Sequence, residues 1–150
     1  MEPLAFPLAV FFDSDVMIAG SASCSGASFA LLQLAELRLI NGYISGQVFE
    51  ECRRNLSSKL PEAIAPFEQI VARCVTSRNV SPSRTFLTAA SNQADPKDVS
   101  ILASALEVGA RFLVTFNIRH YWTSPTTPIA VLTPGDLLQR IRSVLSRLGT

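Results

Sequence analysis

Two short apolar runs, Leu8 to Phe12 near the start and Phe112 to Thr115 far downstream, constrain this chain more than any other feature. Each is too short and too evenly apolar for an amphipathic helix, and reads as a strand covered on both faces. Each also runs into polar residues: Asp13-Ser14-Asp15 after the first, and Thr115 through His120 after the second. Most of the sequence between them carries helical spacing. Buried strands joined by helices imply a parallel sheet between helix layers, and ligands in such sheets sit beyond the carboxyl ends of the strands. The expected fold is therefore α/β, a three-layer α/β/α sandwich with a short parallel central sheet. A chain of 150 residues suits one domain, residues 1–150, with a sizeable core.

Local punctuation places the other elements. Gly20 to Gly26 is small and polar and reads as a loop, followed by a helix over Phe29 to Leu39 that Asn41-Gly42 stops. Tyr43-Ile44 is a very short strand, and Ser45 caps a helix running to about Lys59. Pro61 opens a helix whose Ile64, Phe67, Ile70 and Val71 share a face, and Cys74-Val75-Thr76 supplies a third strand. Weak helical character returns at Thr85 to Ala90. Asp95 as cap and Pro96 in the first turn open a helix carrying Val99, Leu102, Ala103 and Leu106, with Gly109 past its end. Ile129 to Leu132 is the last strand, and Thr133-Pro134-Gly135-Asp136 starts a terminal helix expected to turn Leu137, Leu138, Ile141, Val144, Leu145 and Leu148 inward.

Composition narrows the function classes. Hydrophobic residues make up 48% of the chain, which excludes a disordered protein. No apolar run reaches a membrane span, and the N-terminus lacks a signal peptide's basic start and long apolar segment, so a cytoplasmic protein without membrane attachment is expected. Cys24, Cys52 and Cys74 form no Cys-x-x-Cys pair, which argues against a zinc or dithiol site. The net charge of +1 is uninformative until its distribution is considered. If Asp13, Asp15, Glu51, Asp95 and Asp98 gather at the sheet edge, the rest of the surface holds a clear excess of Lys and Arg. Carboxylates so gathered repel one another, and a divalent cation is the natural counter-charge. Oxygen donors without cysteine select hard cations, Mg2+ or Mn2+ before zinc.

These residues carry a family resemblance. Phe12-Asp13-Ser14-Asp15-Val16, Ile44-Ser45-Gly46-Gln47-Val48-Phe49-Glu50-Glu51-Cys52-Arg53-Arg54, Asp95-Pro96-Lys97-Asp98 and Leu113-Val114-Thr115-Phe116-Asn117-Ile118-Arg119-His120-Tyr121 resemble, in order and spacing, the motifs of PIN-domain ribonucleases. The closer likeness is to VapC-like toxins of type II toxin-antitoxin systems. The resemblance implies a metal-dependent endoribonuclease in which Asp13, Glu51 and Asp98 are the catalytic acids and hold Mg2+ or Mn2+, with Asp95, Asn117 and His120 as further possible ligands. The cation would activate water and offset charge on the phosphate, leaving a 5′-phosphate and a 3′-hydroxyl. Ser14 and Thr115 would hold ligands or a phosphate oxygen, and Arg53, Arg54 and Arg119 would track the RNA backbone. A small cognate antitoxin and a homodimer are the implied partners, beside the RNA substrate. The chain departs from the family at the fourth acidic position, where it has Asn117 and His120 in place of aspartate.

Other readings compete at the same residues. Asp95 and Asp98 sit where N-cap and third-position acids stabilise a helix by about 1 kcal/mol, and Asp15 suits a cap for the turn after the first strand. Asp13 is costly after a buried strand unless it is paired. Loss of the fourth acid fits a catalytically weakened PIN-like module that binds RNA or protein. Asp13-Ser14-Asp15-Val16 also resembles the Asp-x-Asp start of haloacid dehalogenase-type phosphatases, but that family wants a nearby lysine and an acid pair after a late strand, and here the late strand leads to Phe116-Asn117.

Overall fold

The computed structural model describes residues 4–148. Five strands, β1 (Leu8–Phe12), β2 (Ile40–Ser45), β3 (Val75–Val80), β4 (Phe112–Val114) and β5 (Ala130–Leu132), form one parallel sheet in the order β3-β2-β1-β4-β5. The central strand β1 pairs with β2 through Leu8↔Ile40 to Phe11↔Tyr43 and with β4 through Val10↔Phe112 to Phe12↔Val114. Val10, Phe11 and Phe12 are fully buried, as are Leu113 and Val114, which is why both runs are apolar on both faces.

Among the described residues seven helices flank the sheet in an α/β/α sandwich: α1 (Ser14–Ala22), α2 (Ala27–Glu36), α3 (Gly46–Lys59), α4 (Ile64–Cys74), α5 (Arg84–Ala90), α6 (Val99–Glu107) and α7 (Pro134–Leu148). Helix α5 packs on α6, whereas α1 packs on α2, α3 and α4, and α2 on α7. Among the described residues no single helix is long and apolar enough to cross a membrane. Because the sheet is parallel, the carboxyl ends of its strands share one edge. Asp13, Ser45 and Thr115 lie there, each directly after or at the end of its strand.

Several local expectations need correction. Helix α1 covers Gly20 to Ala22, which read as loop; its Val16, Met17, Gly20 and Ser21 are all buried, so a small-residue helix in the core shows no polar stripe to betray it. Helix α2 stops at Glu36, three residues early, because Arg38 adopts the left-handed conformation (φ 66°) that usually falls to glycine. The chain then enters β2 at once, so Asn41-Gly42 lies within a strand and is not a turn. Gly42 is needed for space: a Cβ there would come within 2.8 Å of the Phe12 ring and 3.1 Å of the Cys74 carbonyl. Strand β3 extends to Val80 through polar residues, which an edge strand tolerates. Asp95 makes no side-chain capping bond, and Pro96–Asp98 forms a 3-10 turn ahead of α6. Leu145 and Leu148 are exposed, since α7 runs on beyond the core.

Gly42→Ala is expected to lower stability by about 1–3 kcal/mol in urea unfolding through overpacking at the β1–β2 junction. Gly46→Ala, where a Cβ meets nothing within 4 Å, should be neutral or slightly stabilising.

Candidate active site

Asp13 leaves β1 at its carboxyl end and is held from several sides. Its backbone N–H continues the β1–β4 ladder by donating to the Val114 carbonyl at 3.0 Å. Its side chain caps α1: Oδ1 accepts from the Ser14 N–H at 2.7 Å. Oδ2 accepts from the Thr115 hydroxyl at 2.9 Å and the Tyr121 hydroxyl at 3.3 Å. Asp13 is only 7% exposed. Burial, then the neighbouring Asp15 charge, push its pKa up to about 6, with Asp98 adding to the rise and the Ser14 and Thr115 hydrogen bonds opposing it. Burial and then the Asp13 charge also raise the Tyr121 phenol, so its hydroxyl stays a donor.

Asp15, in the first turn of α1, does not cap the turn after β1 in the expected way; it ties down the loop that follows β4. Its Oδ2 accepts from the Phe116 N–H at 3.0 Å, from the Asn117 amide at 3.1 Å and more weakly from Thr115 at 3.4 Å. Its Oδ1 is buried and has no hydrogen-bond partner among the described residues. Burial raises this pKa too.

On the far side of Asp13, Asp98 ends the 3-10 turn before α6 and faces His120, whose Nδ1 lies 3.1 Å from its Oδ2 and 3.9 Å from Oδ2 of Asp95. One donor atom from each of Asp95, Asp98 and His120 fits within a 4.8 Å span, close enough to share a cation. The Asp98 carboxyl is raised by burial, with His120 and Lys97 pulling the other way. The loop that brings His120 here is anchored where the Asp95 N–H donates to the His120 carbonyl at 2.8 Å.

Glu51 comes from α3, which Ser45 starts by accepting from the Val48 N–H. One carboxylate oxygen accepts from the Ser14 hydroxyl at 3.0 Å and the other from the Gln47 amide at 2.9 Å. Gln47 in turn accepts from the Ser100 hydroxyl of α6, so Glu51 is part of a chain of side chains linking α1, α3 and α6. The adjacent Cys52 thiol is buried against the Ser14 carbonyl, and that burial raises its pKa.

The structure thus gathers Asp13, Asp15 and Asp98 at the carboxyl edge, places Asp95 and His120 on Asp98, and joins Glu51 through Ser14. Thr115 is fully buried, with its hydroxyl engaged by Asp13 and Asp15, so it orients carboxylates. Arg54 and Arg119 are exposed, and Arg53 is exposed with a distant 3.9 Å pairing to Glu68. Sequence reasoning missed Tyr121, Gln47 and the bridging role of Asp15. Asp15 was visible two residues after Asp13; its partners across the sheet were not. Among the described residues the group with ligand spacing is Asp95, Asp98 and His120, two carboxylates and an imidazole that suit a divalent cation; it leaves out Asp13 and Glu51, while Asp15 adds a buried carboxylate oxygen without a partner.

Comparison with known proteins agrees with this geometry. The family model for the PIN domain matches residues 9–119, spanning every acid described above. No curated protein sequence matches significantly. Among solved structures, a chain of VapBC2 from Rickettsia felis, crystallised bound to a DNA fragment from its promoter, has a TM-score of 0.58 at 17% identity. The alignment covers 83% of this chain and 98% of that one. The family match sets aside the haloacid dehalogenase-type reading.

The Asp13 shift has a stability consequence. A carboxyl raised from 3.8 to about 6 binds its proton more tightly in the folded state, so the contribution of Asp13 to cation-free stability is fully present below about pH 4 and is lost as pH rises through about 6. Asp13→Asn should remove Asp13's share of that slope, seen as a flatter pH dependence of urea unfolding in chelator between about pH 4 and 7.

Proposed function

Because the chain belongs to the PIN-domain family, a family of nucleases, we propose that it is a Mg2+- or Mn2+-dependent endoribonuclease and the toxin of a toxin-antitoxin pair. The observation that carries this reading is the buried, hydrogen-bonded Asp13 at the end of the central strand, with Asp15 and Asp98 close enough to act on its charge. Asp13 and Asp98 would hold the cation, with Glu51 positioned beside them through Ser14. A divalent cation so held supplies the charge that acidifies water and offsets the developing charge of a phosphodiester.

The protein's own groups do the arranging. Thr115 and Tyr121 fix Asp13 in one orientation, so little reorganisation is needed when charge develops. Asp15 fixes the loop after β4 relative to β1. The exposed Arg53, Arg54 and Arg119 are suited to RNA phosphates, which would position the strand without reading its sequence. A small antitoxin that covers the acidic edge, and a homodimer of this chain, complete the proposal; the likeness to a chain of VapBC2 supports the antitoxin.

One observation favours a second reading, a catalytically weakened module that binds RNA or protein. At the fourth acidic position Asn117 turns its amide group to Asp15, and His120 sits on Asp98. The two readings separate in one assay. The nuclease reading expects wild type to cleave single-stranded RNA only with Mg2+ or Mn2+, and Asp13→Asn and Asp98→Asn each to lose about 100-fold or more of that rate with unchanged circular dichroism. Binding of RNA by wild type without cleavage in either metal would establish the weakened module.

A further inference from the structure

We propose that Phe116 and Trp122 form a ledge on which unpaired RNA bases stack at the rim of the acidic edge, with Arg119 between them in sequence to receive a backbone phosphate; this rests on RNA being the substrate. Large hydrophobic side chains exposed among the described residues are few, and Phe116, Ile118 and Trp122 fall within one seven-residue segment directly after β4. Phe116 is 50% exposed and Trp122 52%. An aromatic residue that served only to fill the core would not leave half of its surface in water.

This segment is held firmly. The Phe116 N–H donates to Asp15 Oδ2 at 3.0 Å. The Trp122 indole N–H donates to the Asn92 carbonyl at 2.8 Å, and its backbone N–H to the Gln93 carbonyl at 2.9 Å. Between them, Asn117 bonds to Asp15, His120 faces Asp98 and Tyr121 donates to Asp13. One stretch of chain therefore sets Asn117, His120 and Tyr121 on the acids and leaves Phe116 and Trp122 half exposed. The Trp122 ring, held by its indole N–H, loses little conformational freedom when a partner arrives.

The chemistry of the segment selects the partner. From Phe116 to Trp122 there is no acid and there is one exposed arginine, so the segment offers π-faces and positive charge together. That pairing matches single-stranded RNA, whose bases stack on aromatic side chains while cations take its phosphates. Duplex RNA, with its bases already stacked, would gain nothing here.

Trp122 is the single tryptophan, so its fluorescence reports directly on the ledge. Wild-type protein in EDTA, where cleavage is suppressed, is titrated with a short single-stranded RNA and with an abasic oligoribonucleotide of equal length, while fluorescence anisotropy of a label on the RNA follows binding. The expected result is saturable quenching of Trp122 by the base-bearing RNA only, with the abasic strand binding about fivefold or more weaker. Phe116→Ala and Trp122→Ala should each lower affinity for the base-bearing strand by a similar factor and leave the abasic strand unaffected. Equal binding of both strands with unchanged Trp122 emission would overturn the ledge and leave the RNA reading standing. Failure of either strand to bind, together with no cleavage, would overturn both. Quenching by an acidic peptide and not by RNA would assign the ledge to a protein partner and overturn it as well.

Discussion

Asp13 emerges from β1 into a layer where Ser14, Thr115 and Tyr121 supply its hydrogen bonds and little water reaches it. Those donors come from the start of α1, the end of β4 and the loop beyond, so the orientation of one carboxylate depends on the registry of β1 with β4 and on the path of the chain as far as Tyr121. The reverse also holds. Removing its acceptor oxygens would leave two buried hydroxyls to find new partners, at a cost of about 1–3 kcal/mol for each one left unsatisfied. The central carboxylate is thus a structural acceptor for three elements at once.

Asp15 and Asp98 extend this arrangement in different ways. Asp15 is used as a clamp: it holds the Phe116 N–H and the Asn117 amide, which fixes where the loop after β4 leaves the sheet. Asp98 is restrained by His120, whose own position depends on the pairing between the Asp95 N–H and the His120 carbonyl. Three carboxyls raised by burial lie within electrostatic reach of one another, a local instability that a fold tolerates where function requires it. His120 places a nitrogen donor beside the Asp95 and Asp98 carboxylates, one ligand atom of each lying within 4.8 Å of the others.

The parts legible in the sequence were those fixed by local chemistry. The apolar runs of β1 and β4, the Ser45 cap and the Thr133-Pro134 start of α7 each follow from a few adjacent residues, and with them came the parallel sheet and the edge on which Asp13 and Thr115 lie. Residues whose role is set across the sheet were not legible. Gly42 looks like a turn until the Phe12 ring is seen against it. Arg38 ends α2 in a conformation its side chain does not advertise. Asp15 finds its partners on the loop after β4, and Asp95, placed as a cap, instead lies on the His120 side of the site. Leu145 and Leu148 keep helical spacing on a turn that has already left the core.

The proposed function has Asp13 and Asp98 hold a divalent cation. Binding confined to the folded state must raise its stability, so the most direct test is the thermal midpoint at pH 7 with millimolar Mn2+ against EDTA, for wild type and Asp13→Asn. A clear rise is expected for wild type, and it should be largely lost in Asp13→Asn. No Mn2+-dependent rise in wild type, or an equal rise in both proteins, would contradict it.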